Sequence, residues 1–258
     1  AFQLGIGCGG TVHIVLQPIL AELNYLSLIA VYEHLSQGGT GLYSQLIAID
    51  GAVENHWQIS PPSADCCAQR CSSELKEKDT QTWLLTKLSP PPHLLVIGAG
   101  VDAQPLVQMA KTLGWTVTLW DSRPANGRRE YFMSADQILR QPLNELMEHE
   151  SAVHWNAAVV MSHNLQMDAD AIRALQRSAI EYLALLGPVS RKHQVLALAQ
   201  LEESELCIPL AGPAGLNLGA ELPEGIALSI LAECHALLQG TAGQSLSGVL
   251  TAVTENSQ

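Results

Sequence analysis

Short, uninterrupted apolar runs alternate with helix-like segments along the second half of the chain. The run HLLVIGAG, from His93, is wholly apolar after its first residue and ends in glycines. In the segment that follows, Ala103–Leu113, the apolar residues recur at helical spacing, and Gly114 provides a stop. Continuous apolar strands joined by amphipathic helices are typical of a parallel sheet covered on both faces. The pattern therefore predicts an α/β protein with a Rossmann-like parallel sheet.

The same alternation continues towards the C-terminus. Three further segments have the composition of buried strands: WTVTLWD, AAVVMSH and YLALLG. A helix is predicted after AAVVMSH with Asp168 as its N-cap, and a final helix is predicted over Pro223–Leu238, since proline suits a first helical turn. These elements fill a domain over residues 89–258.

The first 88 residues predict a smaller α/β domain. A strand is expected over Thr11–Leu16, a helix over residues 22–36 and another strand over Leu42–Asp50. Residues 51–82, with the charged run SSELKEKD, are predicted to be largely an exposed connector. The proline run that follows Ser89 removes hydrogen-bond donors and favours extended backbone, so the domain boundary is placed there.

Charge and composition narrow the classes of function. The formal net charge is −12 and no basic stripe is present, so a nucleic-acid partner is not expected. The longest uncharged stretches are broken by Gly, Pro, Ser and Gln, so no membrane span is expected. The six cysteines do not form a disulfide framework, and Cys66 and Cys67 are adjacent, which favours a cytoplasmic protein. Cys66, Cys67 and Cys71 also lack the paired spacing of zinc sites.

The turn after the first strand of the second domain carries the clearest candidate site. Gly98, Gly100 and Val101 fit a glycine-rich turn between a strand and a helix, where backbone N–H groups and the helix dipole favour a phosphate. Asp121 ends the next strand, where an acidic side chain would bind a ribose hydroxyl, and Arg123 makes a 2′-phosphate or another anion an alternative. The competing interpretation is a tight turn that binds no nucleotide, because Asp102 puts negative charge close to the phosphate position.

Three segments together resemble the xanthine dehydrogenase accessory protein family, XdhC/CoxI. They are GIGCGGTVHIVLQPI at 5–19, HLLVIGAG through TVTLWDSRP at 93–124, and VVMSHNLQMDADAIRAL with GPAGLNLGAELPEGIALSILAE at 159–233. The resemblance implies a chaperone that binds molybdenum cofactor (molybdopterin), protects it while its sulfido ligand is installed, and delivers it to a molybdenum hydroxylase. A cysteine desulfurase is the implied second partner. Against the family pattern, the first domain is expected to be incomplete at its N-terminus.

The resemblance also gives roles to residues outside the glycine turn. Cys8 lies between glycines, so its thiolate is a candidate for ligating metal or handling sulfur, and a buried structural cysteine is the alternative. His163 and Asn164 follow AAVVMSH at the expected carboxyl edge of the sheet, as cofactor contacts or as ordinary surface residues. Gly215 and Asn217 lie in a glycine-spaced loop that either faces the ligand or only joins two elements.

Three functions remain open at this level. The first is a cofactor-binding and delivery protein without turnover of its own, expected to form a homodimer. The second is an NAD(P)-dependent oxidoreductase that uses Gly98, Gly100 and Asp121, although the sequence places no convincing pair of catalytic residues for hydride transfer. The third is a Rossmann-like partner protein with a purely structural or regulatory role.

Overall fold

The computed structural model describes residues 14–48, 51–60, 72–78, 80–149, 152 and 154–250. The described residues fall into two compact units, and the chain passes from the first to the second between Ser89 and Pro90. The predicted fold class, a Rossmann-like parallel sheet with a smaller second unit, is confirmed.

The N-terminal unit contains a four-stranded antiparallel sheet in the order β2-β1-β4-β3. Its strands are β1 (Gly41–Ile47), β2 (Asn55–Ile59), β3 (Ser72–Lys78) and β4 (Gln81–Leu88). A 3-10 helix (Ala21–Ser27) and helix α1 (Leu28–Ser36) precede β1. Tyr43 of β1 donates a hydrogen bond to the Leu26 carbonyl at 2.6 Å, which attaches the helical segment to the sheet.

Three expectations for this unit were wrong in part. The charged run predicted as a connector is β3, an edge strand with every residue exposed, where charged side chains protect the unpaired edge from other strands. Residues 24–27 have positive φ, so regular α-helix begins only at Leu28. The described part of the expected first strand, residues 14–16, has no regular secondary structure.

The second unit contains a six-stranded parallel sheet in the order β10-β9-β8-β5-β6-β7. Its strands are β5 (His93–Ile97), β6 (Thr116–Trp120), β7 (Gln137–Leu139), β8 (Ala157–Val160), β9 (Tyr182–Leu185) and β10 (Leu210–Ala211). Its helices are α2 (Ala103–Thr112), α3 (Leu143–Met147), α4 (Leu165–Leu175), α5 (Val189–Ala199) and α6 (Pro223–Leu238).

Helices cover both faces of this sheet, which explains the apolar runs seen in the sequence. All residues of β5, β8 and β9 are buried. One core cluster packs Leu106 of α2 and Ile230 of α6 against the sheet, and the other contains Ile172 of α4 and Val195 of α5. The final helix has the predicted bounds, whereas β7, α3, α5 and β10 were not predicted.

The sequence predicts Asp168 as the N-cap of α4, and this prediction is wrong. Asp168 lies in the first turn with no exposed surface, and the N-cap is Asn164. Within the described residues, no helix combines the length and apolar composition needed to cross a bilayer.

Candidate functional site

The parallel sheet has its topological switch point between β5 and β8. From β5 the chain continues to β6 on one side, and from β8 it continues to β9 on the other, so the loops after β5 and β8 diverge. Ligands of open α/β sheets bind in the crevice at the carboxyl ends of such strands. The candidate site is therefore built from the residues that follow β5, β6, β8 and β9.

Gly98 brings the ends of β5 and β8 into close contact. Its φ is +108°, and a Cβ added to it would lie 2.5 Å from the Ser162 Cα. The first glycine of the turn is therefore required for packing between neighbouring strands. This requirement holds whether or not a ligand binds nearby.

Asp102 occupies the space above the second glycine. A Cβ on Gly100 would lie 2.6 Å from the Asp102 Oδ1 atom, and the Asp102 side chain makes no capping hydrogen bond to α2. The first N–H groups of α2 are engaged locally, since Ala103 donates to the Gly100 carbonyl and Gln104 to the Val101 carbonyl, each at 3.2 Å. A phosphate at this helix terminus would meet a carboxylate in place of an open row of donors.

His163 faces Asp102 across the switch point. Its Nε2 atom lies 2.7 Å from Asp102 Oδ2, and its side chain is 60% exposed. The backbone of His163 has a φ of +58°, a left-handed conformation that is uncommon outside glycine and often found at functional sites. This side-chain pair links the loop after β5 to the loop after β8.

Asp121 directly follows β6, and its buried carboxylate accepts hydrogen bonds on both oxygens. Oδ1 accepts hydrogen bonds from the Arg123 backbone N–H at 3.0 Å and from Arg123 Nε at 2.9 Å. Oδ2 accepts from Ala99 N–H at 2.9 Å, Arg123 Nη2 at 2.7 Å and Asn126 Nδ2 at 2.9 Å. Burial alone would raise the pKa of Asp121, but these hydrogen bonds outweigh it and lower the pKa to about 2. A ribose could bind this carboxylate only by displacing them.

The loop after Asp121 folds back over the glycine turn. Gly127, with a φ of +60°, lies beside the turn, since a Cβ on it would be in ordinary van der Waals contact with the Ala99 Cβ at 3.5 Å. The Gly127 carbonyl accepts a hydrogen bond from Arg140 Nη2 at 2.8 Å, which fixes the returning chain to the residue after β7. Loop 122–127 therefore covers the region where a dinucleotide fold receives its adenosine ribose.

A second buried carboxylate lies on the other side of the switch point. Asp168 Oδ1 accepts hydrogen bonds from the Ser162 hydroxyl at 2.5 Å and the Ser162 N–H at 3.2 Å. Asp168 Oδ2 accepts from Arg191 Nη2 at 2.6 Å. The Asp168 side chain has no exposed surface, while that of Arg191 is 21% exposed. Asp168 therefore anchors an arginine from α5 at the carboxyl edge of the sheet.

Asn164 and Gly215 both have structural partners. Asn164 Oδ1 accepts the Met167 N–H at 3.0 Å and caps α4. The Gly215 N–H donates to Glu233 Oε2 at 2.9 Å, and the Ser229 hydroxyl donates to the Leu216 carbonyl, so α6 holds the loop before it.

A narrow cavity of about 70 Å³ lies beside the turn, between α2, α6 and the ends of β8 and β9. Among the described residues that line it, Asp102 and Glu221 carry charge. Its remaining lining is apolar, from Leu106, Met161, Leu186, Pro223, Ile226, Ala227 and Ile230. The cavity is too small for a whole cofactor and holds at most one edge of a ring.

The structure brings most of the sequence-predicted residues to one edge of the sheet. Gly98, Gly100, Val101, Asp121, Arg123, His163 and Asn164 follow β5, β6 and β8 there. Val101 is 79% exposed and Asn217 is exposed in its loop. The described residues do not include Cys8, nor the three cysteines Cys66, Cys67 and Cys71. Among the residues that are described, no group of three or more His, Cys, Asp and Glu side chains is arranged to hold a metal ion.

Sequence reasoning missed the Ser162, Asp168 and Arg191 network. The sequence suggests Asp168 as a helix cap because it stands at the start of an amphipathic segment. The available signal was the Gly187-Pro188 pair after YLAL, which marks the start of another helix at the carboxyl edge and so places Arg191 near the site.

Comparisons with known proteins agree with this architecture. The chain is 29% identical over 242 residues to a probable xanthine dehydrogenase subunit of Bacillus subtilis, covering 90% of this chain and 71% of the relative. It is 31% identical over 147 residues to the uncharacterized protein YqeB of Escherichia coli, covering 55% of this chain and 26% of that protein. A crystal structure described as a xanthine dehydrogenase from Bacillus halodurans shares the fold, with a TM-score of 0.65, 23% identity and coverage of 87% of this chain and 67% of that one.

The family assignment follows from the parallel-sheet unit itself. The family model described as the XdhC Rossmann domain matches residues 94–234, which is more than half of the chain and runs from Leu94 in β5 to Cys234 in α6. The resemblance to the xanthine dehydrogenase accessory family that the sequence segments indicated is thereby confirmed, and the chain belongs to the XdhC Rossmann domain family.

Proposed function

We propose that this chain assists the maturation of a xanthine dehydrogenase-type molybdenum hydroxylase by binding molybdenum cofactor at the carboxyl edge of the parallel sheet. In this role it protects the cofactor while the sulfido ligand is installed and then delivers it to the client enzyme. The observation that carries the proposal is membership of the XdhC family over the unit that contains the switch point and the residues around it.

The residues at this edge suit a phosphate-bearing heterocycle in chemical type. Molybdopterin would supply a pterin ring, a dithiolene that binds molybdenum, and a phosphate ester. Arg123 and Arg191 are partly exposed cations at the edge, with side-chain exposures of 37% and 21%, and can contact an anion. Asp102 and His163 offer an acceptor and a polar ring beside the apolar cavity, which suits the nitrogen-rich edge of a pterin.

The glycine turn itself suits a phosphate less well than the sequence had suggested. The Asp102 carboxylate lies beside Gly100, where like charge would oppose an anion. The involvement of Gly98, Gly100 and Val101 in ligand binding stays a prediction, and within this proposal these residues line the site without providing the phosphate contact.

An NAD(P)-dependent oxidoreductase is less well supported. That hypothesis needs Asp121 to accept ribose hydroxyls, but the carboxylate already accepts hydrogen bonds from Arg123, Ala99 and Asn126. Losing them would leave a buried carboxylate without its partners, which is energetically costly.

The proposal is tested by looking for bound pterin. The protein is purified from cells that make molybdenum cofactor, oxidised, and assayed for pterin fluorescence, with NADPH added to a separate sample in a thermal-shift titration. We expect pterin with the wild-type protein and no thermal shift with NADPH. A folded protein without pterin, whose melting temperature rises with NADPH, would contradict the proposal and restore the oxidoreductase hypothesis.

Cys8 is tested in the same assay with Cys8→Ser. If its thiolate ligates the metal or handles sulfur, we expect the variant to retain less molybdenum per pterin than the wild-type protein, measured by elemental analysis. Equal ratios in the two proteins would remove Cys8 from the proposal. A cysteine desulfurase and a homodimer belong to the same proposal, and sedimentation equilibrium tests the dimer directly.

A further inference from the structure

Two buried ion pairs flank the glycine turn, one on each side of the switch point. Asp121 holds Arg123 at the end of β6, and Asp168 holds Arg191 beyond the end of β8. Both carboxylate side chains are fully buried, while both arginine side chains keep exposed surface. Burying a carboxylate carries a large desolvation penalty, and an apolar residue often stabilises a fold equally well, so stability alone does not account for two such pairs.

An unbroken series of contacts connects the two pairs. Asp121 Oδ2 accepts the Ala99 N–H at 2.9 Å, and neighbouring Gly98 approaches Ser162 so closely that it has no room for a Cβ. Ser162 in turn donates its hydroxyl to Asp168 at 2.5 Å. The glycine turn therefore lies between the two anchored arginines. Since adjacent strands are about 4.8 Å apart, the ends of β6 and β8 on either side of β5 are roughly 10 Å apart.

The fold also makes room for Arg191. Gly187 follows β9 with a φ of +129°, and a Cβ on it would lie 2.5 Å from the Arg191 Cδ. The missing side chain lets the arginine pass over the end of β9 to reach Asp168. The arginine is consequently held by a carboxylate at its tip and by backbone along its stem, which reduces the entropy lost when it binds a ligand.

Each arginine keeps donors for a ligand. A guanidinium has five N–H groups. Arg191 uses Nη2 for Asp168, and no partner within the described part of the chain contacts its Nε or Nη1. Arg123 donates from Nε and Nη2 to Asp121, and no partner among the described residues contacts its Nη1. Arg191 is therefore the better equipped of the two to form paired hydrogen bonds with an anion.

We propose that Arg191, with Arg123 as the second contact, binds the phosphate-bearing end of the ligand at this edge, in place of the helix terminus at Gly100. The inference rests on the proposed function and specifies how the ligand is recognised: as an organic phosphate whose oxygens meet guanidinium groups fixed by buried carboxylates. Asp102 and His163 then face the uncharged, ring-bearing part of the same ligand.

Inorganic pyrophosphate is the probe, titrated by calorimetry into a solution of the protein at constant ionic strength. Arg191→Lys and Arg123→Lys keep a positive charge for the buried carboxylates but lose the planar fork of donors. Arg177→Lys, at an exposed position outside the edge, is the matched control, and circular dichroism checks that every variant is folded. We expect about a tenfold loss of affinity in Arg191→Lys, a smaller loss in Arg123→Lys, and none in the control.

Asp102→Asn identifies the competing location. If the anion binds at the glycine turn, removing this carboxylate will raise pyrophosphate affinity severalfold while both lysine variants bind like the wild type, and the inference is then overturned. Absence of pyrophosphate binding to the folded wild-type protein also overturns it. Neither result bears on whether the protein binds pterin, so the proposed function is tested separately. Pyrophosphate binding that depends on the arginines, in a protein without bound pterin, supports the anion site and contradicts the proposed function.

Discussion

Gly98 and Gly114 are two glycines with positive φ whose surroundings differ. Gly98 has a φ of +108° and backbone atoms of Met161 and Ser162 within 2.6 Å of the position of a Cβ. Gly114 has a φ of +78°, and within the described part of the chain no atom lies within 4 Å of that position. The pair separates the two costs of adding a side chain, backbone strain and steric overlap.

We predict that Gly98→Ala destabilises the protein far more than Gly114→Ala. Alanine at Gly114 carries only the strain of a left-handed backbone, on the order of 1 kcal/mol. At Gly98 the added methyl must also separate β5 from β8, so the loss in unfolding free energy is expected to be several times larger. Urea denaturation measures both, and equal losses would mean that the strand ends can move apart freely.

His93 is a buried histidine at the opposite, amino-terminal edge of the sheet. Its Nε2 lies 2.8 Å from the Thr118 hydroxyl oxygen. Burial lowers its pKa to about 4, opposed by the negative charge of Asp136 and helped by His154 and Lys111. The folded protein therefore keeps this ring neutral at a pH where the unfolded chain binds a proton.

This difference predicts a loss of stability in acid. Between pH 6.5 and about pH 4 the unfolded state binds one more proton at His93 than the folded state, so the free energy of unfolding falls as the pH falls through this window. The slope approaches about 1.4 kcal/mol per pH unit within the window and vanishes above it. His93→Gln is expected to flatten this slope, while the exposed control His193→Gln leaves it in place. Identical slopes in all three proteins would refute the assignment.

One side chain caps the start of helix α4. Asn164 Oδ1 accepts the Met167 N–H at 3.0 Å and satisfies one of the backbone donors that a helix N-terminus leaves unpaired. The residue proposed as a cofactor contact therefore has a structural role of its own. Its capping function can be tested without any ligand.

We expect Asn164→Ala to lower the unfolding free energy by about 1 kcal/mol, because alanine cannot accept that hydrogen bond. Asn164→Asp keeps an acceptor and should retain most of the stability. Gln166→Ala, in the first turn of the same helix, is the control. If thermal melting shows the alanine and aspartate variants at Asn164 to be equally destabilised, the cap is not the source of the loss.

Helix α6 holds the loop that precedes it through Glu233. One carboxylate oxygen, Oε2, accepts from the buried Tyr182 hydroxyl at 2.6 Å and from the Gly215 N–H at 2.9 Å. Burial and the adjacent Glu233 both raise the pKa of Tyr182, so the hydroxyl remains a donor. One side chain thus connects β9, the loop and α6.

Glu233→Ala should therefore loosen residues 213–219 specifically. The variant leaves a buried hydroxyl and a loop N–H without their acceptor, at an expected cost of about 1 to 3 kcal/mol. Hydrogen exchange in the loop should become faster. The control Glu224→Ala, in the first turn of α6, should change neither the unfolding free energy nor the exchange rate of the loop. Unchanged exchange in Glu233→Ala would show that Ser229 alone holds the loop.

The elements that the sequence predicted well are those that bury every residue. β5 and β8 are continuous apolar runs because both faces of the parallel sheet are covered. α6 is only partly buried, and its start was predictable for another reason, the proline at its first position. β7 has three half-buried residues and β10 has two residues, which are too short to produce a pattern. β3 is polar throughout most of its length, because backbone pairing with β4 rather than side-chain burial holds it in the sheet.

At the candidate site, the positions of the residues along the sheet could be predicted from the sequence, but the hydrogen bonds and ion pairs of their side chains could not. The motif placed Asp121 at the end of β6, where it is found. The hydrogen bonds that occupy its carboxylate depend on Asn126 and on the way loop 122–127 folds back towards the glycine turn. No local sequence pattern predicts that loop conformation. Pairs such as Asp102 with His163 and Asp168 with Arg191 join residues on different loops and helices, so they become visible only when the strand order is known.

At the scale of the molecule, the apolar cores of the parallel-sheet unit are self-contained. Among the described residues, both core clusters are formed entirely between Leu94 and Leu238. We predict that residues 90–250 expressed alone fold and unfold in one cooperative thermal transition, because both described clusters are formed within this range. A broad, non-cooperative melt of this fragment by circular dichroism would show that the N-terminal unit is required.

The internal saturation of Asp121 affects which molecules can compete for the site. NAD and NADP are abundant in cells, and a Rossmann sheet with an accessible acidic residue after its second strand is liable to bind them. Here the acceptor that a ribose would seek is already occupied by the protein's own donors. Under the proposed function, we therefore expect NAD and NADP to compete poorly for this edge, which would leave it open to a scarce cofactor.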